Sequence, residues 1–363
     1  MQPFRLLDLI LYLLKLGAIG FGGPVALLGY MQRDLIEEKK WFTKEEYYDG
    51  LAFAQLLPGP LAAQLAIYFG YKKGKIFGAT IVGISFILPS FLMVLALAYF
   101  YVQHRDLSWI NAVFYGMSAA IIAVIVRSAY HLAKLSLSDK KGLWCIVIVL
   151  FAITIFFQKV QLSFYLAGGL AGILLYAFPK NFFRKQKMFS LVPLELFFFF
   201  FKAALSVYGG GIALLPYVYA GVVGKHHWLT AKQFLDAASV GMITPGPFLI
   251  TVAFIGFLVD GFPGSAISVL GVFLPVWLFV ILLLPWYHKI SGNTQVRAFV
   301  SGVTAAVAGG IAGSAYLMGK TAIVDGWTAG IALLVFFLMS KTKIPDPVLI
   351  LASGVFGFFL KGF

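Results

Sequence analysis

Two acid–lysine pairs stand at matched places inside apolar runs of this chain: Asp8 with Lys15, and Glu195 with Lys202. A charge at membrane depth costs roughly 2.5–3.5 kcal/mol even on the lenient insertion scale, so each such group needs a partner or a task. Seven residues make about two helical turns, which puts each acid on its lysine's face but beyond direct contact along one helix. The lysines are candidate counter-charges for an anion, and the acids are candidate proton or gating partners. The alternative is acids at the interface and lysines that snorkel. Arg127, inside the apolar run 121–129, can hold a tetrahedral oxyanion through two N–H groups, or snorkel likewise. Asp49 and Asp236 head two further apolar segments and read as helix caps or as proton carriers.

Pro58-Gly59-Pro60 and Pro245-Gly246-Pro247 sit within those two segments. Proline removes a backbone donor and glycine admits close backbone approach, so each motif leaves a half-helix with a free N-terminus. Unpaired N–H groups and the positive dipole end favour an anion there, unless the motif is only a packing kink. The runs Gly20-Phe21-Gly22-Gly23-Pro24 and Gly209-Gly210-Gly211 read as breaks in the first segment of each half. They can form anion-binding nests of successive N–H groups, or serve close helix packing. Gly302 and the run 309–313 fit packing better.

Other chemistries lack residues. His226 and His227 are adjacent in a loop, without the i, i+4 spacing that pairs two imidazoles on one helix face, so no metal site is expected. No Walker A, HExxH or clustered acidic Mg²⁺ pattern occurs, so neither a cofactor nor ATP-driven transport within the chain is expected. The single cysteine, Cys145, cannot form an intrachain disulfide and reads as a small buried apolar residue.

These residues are carried by a chain of 363 residues that is 61% hydrophobic and 12% charged. Soluble domains run at about a quarter charged, so the bilayer is the solvent here. The net charge of +14 sits in short loops between apolar runs, which excludes a nucleic-acid surface and fits membrane topology. After Arg5 no signal-peptide cleavage pattern follows, and the first segment is expected to be retained.

Apolar segments fall six and six on either side of a basic linker with Lys180, Arg184, Lys185 and Lys187. The halves repeat each other at an offset of 187: Asp8 matches Glu195, Lys15 matches Lys202, Trp41 matches Trp228, Asp49 matches Asp236, and one PGP matches the other. Beyond a one-residue gap the offset becomes 186, pairing Leu88-Pro89 with Leu274-Pro275 and Gly116 with Gly302. The expected modules are 1–179 and 189–363, joined by the linker 180–188.

Treating each PGP segment as re-entrant gives five crossings per module and about ten transmembrane helices overall. Lysine and arginine then concentrate in the inside loops when the linker is cytoplasmic and both termini are outside. An odd number of crossings makes the second module an inverted repeat of the first, as in many secondary transporters. The expected fold is therefore an all-α polytopic membrane protein of two inverted homologous modules, with broken or re-entrant segments carrying PGP.

Phe21-Gly22-Gly23-Pro24, Trp41, the run Ala54-Gln55-Leu56-Leu57-Pro58-Gly59-Pro60 and Leu88-Pro89-Ser90 together resemble the chromate ion transporter family, in its long two-domain form. The second half departs from the pattern: Gly209-Gly210-Gly211 lacks the proline, and Leu27 stands where the family often has a polar residue. The resemblance implies gradient-driven export of chromate across the cell membrane, with sulfate as analogue or competitor. On that reading Lys15, Lys202 and Arg127 supply charge, while backbone around Gly22, Gly23, Gly59, Gly209, Gly210 and Gly246 supplies donors. A passive anion channel and a non-catalytic structural component are the rival readings, and a homodimer is permitted but not specified.

Overall fold

The computed structural model describes residues 2–137, 142–157, 160–176, 192–208, 210–287, 293–342 and 344–362. The linker 180–188 and Gly209 lie outside them. The first half forms α1 (Leu6–Ile19), α2 (Gly23–Met31) continued by the π-helical turn Gln32–Glu38, α3 (Lys44–Leu56), α4 (Leu61–His104), α5 (Ser108–Leu137), α6 (Gly142–Phe157) and α7 (Leu162–Tyr176). The second forms α8 (Val192–Leu205), α9 (Leu214–Tyr219) with the π-helical Ala220–Lys225, α10 (Ala231–Ile243), α11 (Thr251–Leu283), α12 (Thr294–Ala322), α13 (Gly326–Lys341) and α14 (Asp346–Lys361). No strand occurs among the described residues. Four stretches, in α4, α5, α11–Trp286 and α12, are long and apolar enough to cross a membrane, and α6, α7 and α13 are shorter apolar helices. Phe77, Leu92, Phe156, Leu333 and Phe359 are among many large apolar side chains left on the surface, as lipid contact requires.

The repeat recurs in backbone detail. Thr43 and Thr230 cap α3 and α10 with reciprocal bonds to Glu46 and Gln233. Lys40 and His227 share a left-handed φ of 52° and 51°. Non-helical pairs Gly74–Lys75 and Asp260–Gly261 interrupt α4 and α11 at the offset of 186. These interruptions are reversals of direction. A Cβ on Gly83 would lie 3.1 Å from Ile67, and one on Gly70 2.6 Å from the Gly78 carbonyl. In a straight helix, residues sixteen apart stand about 24 Å from each other. So 61–73 and 76–104 lie side by side, and Lys72, Lys73 and Lys75 occupy the turn between them, where the sequence places a basic loop.

The segment centred on Pro58-Gly59-Pro60 is a hairpin. Lys72 at the end of its second limb reaches Glu46 in the first turn of α3 at 4.0 Å, and Phe69 meets Phe42. The first segment is a hairpin too, which differs from the expected broken crossing. The Tyr12 hydroxyl donates to the Tyr30 carbonyl and to Asp34, and Gln2 N–H donates to the Lys40 carbonyl. Glycine at 20, 22 and 23 allows the reversal: Gly22 and Gly23 hold φ of 107° and 72°.

Packing divides the cations between two ends of the long helices. Lys72, Lys75 and Asp49 share a cleft with Tyr287 at the start of limb 76–104. At its far end, Tyr101 bonds Asp236, Lys232 bonds Asn111, and Lys361 bonds Asp325. The PGP hairpins of the two halves thus start from opposite ends. The expectation that both termini share one side is corrected: Lys73 sits over the Phe4 ring at the first end, whereas Lys361 lies over Tyr115 at the second. The first segment folds back instead of crossing, so the parity count behind that expectation does not hold.

Terminal hairpins are exchanged between halves. Glycines remove side-chain bulk where α7 crosses α12, at Gly168, Gly172 and Gly302, and where α14 crosses α5, at Gly116 and Gly357. Gly309 and Gly313 pack α12 onto α6, as their packing reading expects. Cys145, expected to be buried, is exposed on α6 because that apolar helix turns this face outward.

Candidate functional site

Each half contributes two interrupted tips, and the tips meet crosswise. Gly246 N–H donates to the Gly20 carbonyl at 2.9 Å, and Gly59 N–H donates to the Val207 carbonyl at 2.7 Å. Those acceptors end α1 and α8 and occupy matched positions, so one contact is the repeat of the other. Ser90 Oγ donates to the Gly17 carbonyl at 3.0 Å and secures the first meeting. Gln64, fully buried, donates from Nε2 to the Pro58 carbonyl at 2.9 Å and secures the second.

Both PGP glycines therefore spend their own N–H on the partner tip. The donors left for a ligand are first-turn N–H groups of the helices that follow, which have no acceptor within their own helix. Left-handed φ at Gly59 and Gly246, 138° and 96°, aims the chain into this crossing. Gly210 has φ 135° beside the second meeting.

At the first meeting lies a cavity of about 50 Å³ lined by Gly20, Gly22, Gly23, Thr244, Gly246 and Asp346. Asp346 belongs to the first turn of α14, and its Oδ1 stands 3.6 Å from Nη1 of Arg127 on α5. The residue matching Arg127 in the other half is Gly313, so charge is concentrated at one of the two meetings.

A cleft of about 730 Å³ runs along α1 from Lys39 and Arg33 past Lys15 to Gly20, where it abuts the cavity. Arg33 is held by Asp34 at 2.7 Å and by Glu38 at 3.5 Å. Among the described residues neither Lys15 nor Lys39 makes an ion pair; Lys39 sits over the Trp41 ring at the cleft mouth, and Lys15 is the cation nearer the cavity on this route.

Asp8 lines the same cleft as Lys15, and the other residues expected in the site lie apart. Asp8 accepts from Arg5 N–H and closes the start of α1. Glu195 lies 3.3 Å from His226 Nδ1, and the His226 ring stacks on Trp228. Burial and neighbouring Lys225 push this imidazole below its ordinary pKa, against the smaller upward pull of Glu195. Lys202 is half-buried on α8, within electrostatic range of Lys225.

Asp49 and Asp236 are not caps, because Thr43 and Thr230 hold those places and the aspartates sit one and a half turns later. Asp236 is 1% exposed and accepts from the Tyr101 hydroxyl at 2.7 Å, while its Oδ1 has no partner among the described residues. Tyr287, at the position matching Tyr101, shares a cleft with Asp49. Among the described residues no cluster of three potential metal ligands occurs.

Fold and site together define a multi-pass, all-α membrane protein whose polar centre is built from interrupted helices, the construction of a solute transporter. Residues 7–174 and 194–358 each match the chromate transporter family, and the chain belongs to that family. It is 45% identical to a chromate transport protein of Cupriavidus metallidurans, over 98% of this chain and 93% of that one. A probable chromate transport protein of Synechococcus elongatus is 40% identical, over 98% and 95% of the two chains. A chromate transport protein of Pseudomonas aeruginosa is 29% identical, over 98% and 92%. No solved structure matches this chain.

Proposed function

We propose that this protein is a secondary transporter of a tetrahedral oxyanion that exports chromate across the cell membrane, with sulfate as a competing analogue. Support for the substrate comes from the family and from the names its relatives carry. The observation that carries the mechanism is the crosswise meeting of interrupted tips, one of them around a small cavity lined in part by Asp346, whose carboxylate stands 3.6 Å from Arg127.

The anion approaches along the α1 cleft past Lys15 and is held in the cavity by the Arg127 guanidinium and by backbone donors around Gly22, Gly23 and the turn after Pro247. Lys202 and the tip around Gly59 and Gly210 form the corresponding path of the second half. Asp236 and Asp49, each beside a tyrosine of the opposite half, are the proton or gating partners of this reading. No Walker A motif is present, so the membrane gradient supplies the energy.

We read 1–179 and 189–363 as inverted modules, because their PGP hairpins start from opposite ends of the long helices. The end carrying Lys39, Lys72, Lys73 and Lys75 then faces the cytoplasm together with the linker. Rocking of one module on the other exposes the cavity to each side in turn.

The test is uptake of labelled chromate into proteoliposomes, with and without an imposed gradient and with excess sulfate, on protein whose mass is measured by light scattering to detect a homodimer. Uphill accumulation supports the reading. Flux that only runs downhill makes the protein a channel, and absence of flux in folded protein leaves a structural role. Arg127→Gln removes a charge-assisted bond worth roughly 1.5–3 kcal/mol and is expected to weaken chromate binding about 10- to 100-fold.

A further inference from the structure

Asp346 brings a negative charge into a cavity that the proposed function assigns to an anion. Its carboxylate borders the same space as Gly20, Gly22, Gly23, Thr244 and Gly246, and its ionic partner is Arg127 at 3.6 Å. The side chains of this pair are 43% and 39% exposed, so neither is locked by packing. Pro345 precedes Asp346 and offers no side-chain cap, which leaves the carboxylate at the positive end of the α14 dipole, a place that favours a negative charge. Arg127 comes from one half of the chain and Asp346 from the other. Nothing in the repeat reproduces the pair, since Gly313 matches Arg127.

We propose that Asp346 is a tethered stand-in for the transported oxyanion: it holds Arg127 while the cavity is empty and is displaced when a tetrahedral dianion enters. Three consequences follow from this arrangement. Arg127 stays beside the cavity between transport cycles, held by the Asp346 carboxylate that lines it, because a carboxylate presents oxygen acceptors to a guanidinium much as an oxyanion does. Affinity is held down, because each binding event must break the resident pair, and release is correspondingly assisted when Asp346 returns. Binding also loosens a contact between the two halves, since the pair bridges α5 and α14.

This inference rests on the proposed function, and its test separates the two. Sulfate and chromate binding to purified protein in detergent is measured by calorimetry for the wild type, Asp346→Asn and Asp346→Glu, with size-exclusion profiles to confirm folding. Loss of a half-exposed competing pair is expected to lower the Kd of Asp346→Asn by roughly two- to fivefold, while Asp346→Glu stays near the wild type. Chromate efflux from proteoliposomes by Asp346→Asn is expected to slow despite the tighter binding. Equal or weaker binding by folded Asp346→Asn, with the wild type binding normally, overturns the tethered-anion role and leaves the transport reading standing. A wild type that binds no oxyanion overturns the transport reading itself. Should Asp346→Asn not fold, Asp346→Ser, which keeps a side chain favoured at helix starts, carries the same expectation and the same refutation.

Discussion

Replacing Gly246 by alanine tests whether the crossing of interrupted tips holds the centre of the molecule together. At φ 96° an L-residue pays about 1–2 kcal/mol for the backbone alone. The new Cβ runs into Ser90 Oγ and comes within 3.1 Å of the Gly17 carbonyl. Pushing Ser90 aside breaks its bond to Gly17, a further loss of roughly 0.5–1.5 kcal/mol. The sum is about 1.5–3.5 kcal/mol.

Gly23→Ala is the internal control, because φ is 72° there but nothing lies within 4 Å of the new Cβ, so only the backbone cost of about 1–2 kcal/mol applies. Thermal unfolding in detergent, followed by the loss of the monodisperse size-exclusion peak, reads the difference. At on the order of 2 °C per kcal/mol, the Ser90 loss of roughly 0.5–1.5 kcal/mol that separates the two should make Gly246→Ala melt about 1–3 °C below Gly23→Ala. The double variant Ser90→Ala/Gly246→Ala should recover part of the gap, because the clashing hydroxyl is gone. Equal melting of Gly246→Ala and Gly23→Ala would refute the crossing as a structural clamp.

Three further expectations concern residues around the centre. Tyr101→Phe removes the donor to buried Asp236 and should destabilise the protein by roughly 1–3 kcal/mol, an effect that Asp236→Asn should not deepen; a melting point unchanged from wild type contradicts this. Lys15→Ala should raise the KM for chromate about two- to fivefold at low ionic strength with kcat little changed, a difference that shrinks in 0.5 M salt; salt-independent loss points to a direct binding role instead. His226 has a folded-state pKa below its unfolded value of 6.5, so the unfolded chain binds more protons in that window and stability falls as pH drops below about 6.5. His226→Gln should flatten the acid side of the melting profile, and an unchanged slope assigns the pH effect elsewhere.

The repeat made much of this architecture readable in advance. One PGP matched to the other, with the glycine runs at 20–24 and 209–211, marked where the interruptions fall, because backbone reversals depend on local residue type. Hydrophobicity alone does not distinguish a fold-back from a crossing: residues 4–30 are long enough to span, and the contact of Tyr12 with Tyr30 is what shows the return. Asp49 and Asp236 were open to a capping reading because helix starts were placed at the onset of apolarity. The pattern Thr43…Glu46, repeated as Thr230…Gln233, carried the correct signal three residues apart. Asp346 offered no sequence signal, since its partner Arg127 belongs to the other half and neither has a repeat mate.

Exchange of the terminal hairpins sets a timetable for synthesis. The glycine seam of α5 at Gly116 is built for α14, whose Ser353 and Gly357 emerge roughly 240 residues later, some 10–50 s at 5–20 residues per second. Throughout that interval the first half must sit in the bilayer with a close-packing surface facing lipid or the insertion machinery. Nascent chains arrested before α14 should therefore be the form most exposed to quality-control proteases and to mispairing with another copy, until α14 closes the seam waiting on α5.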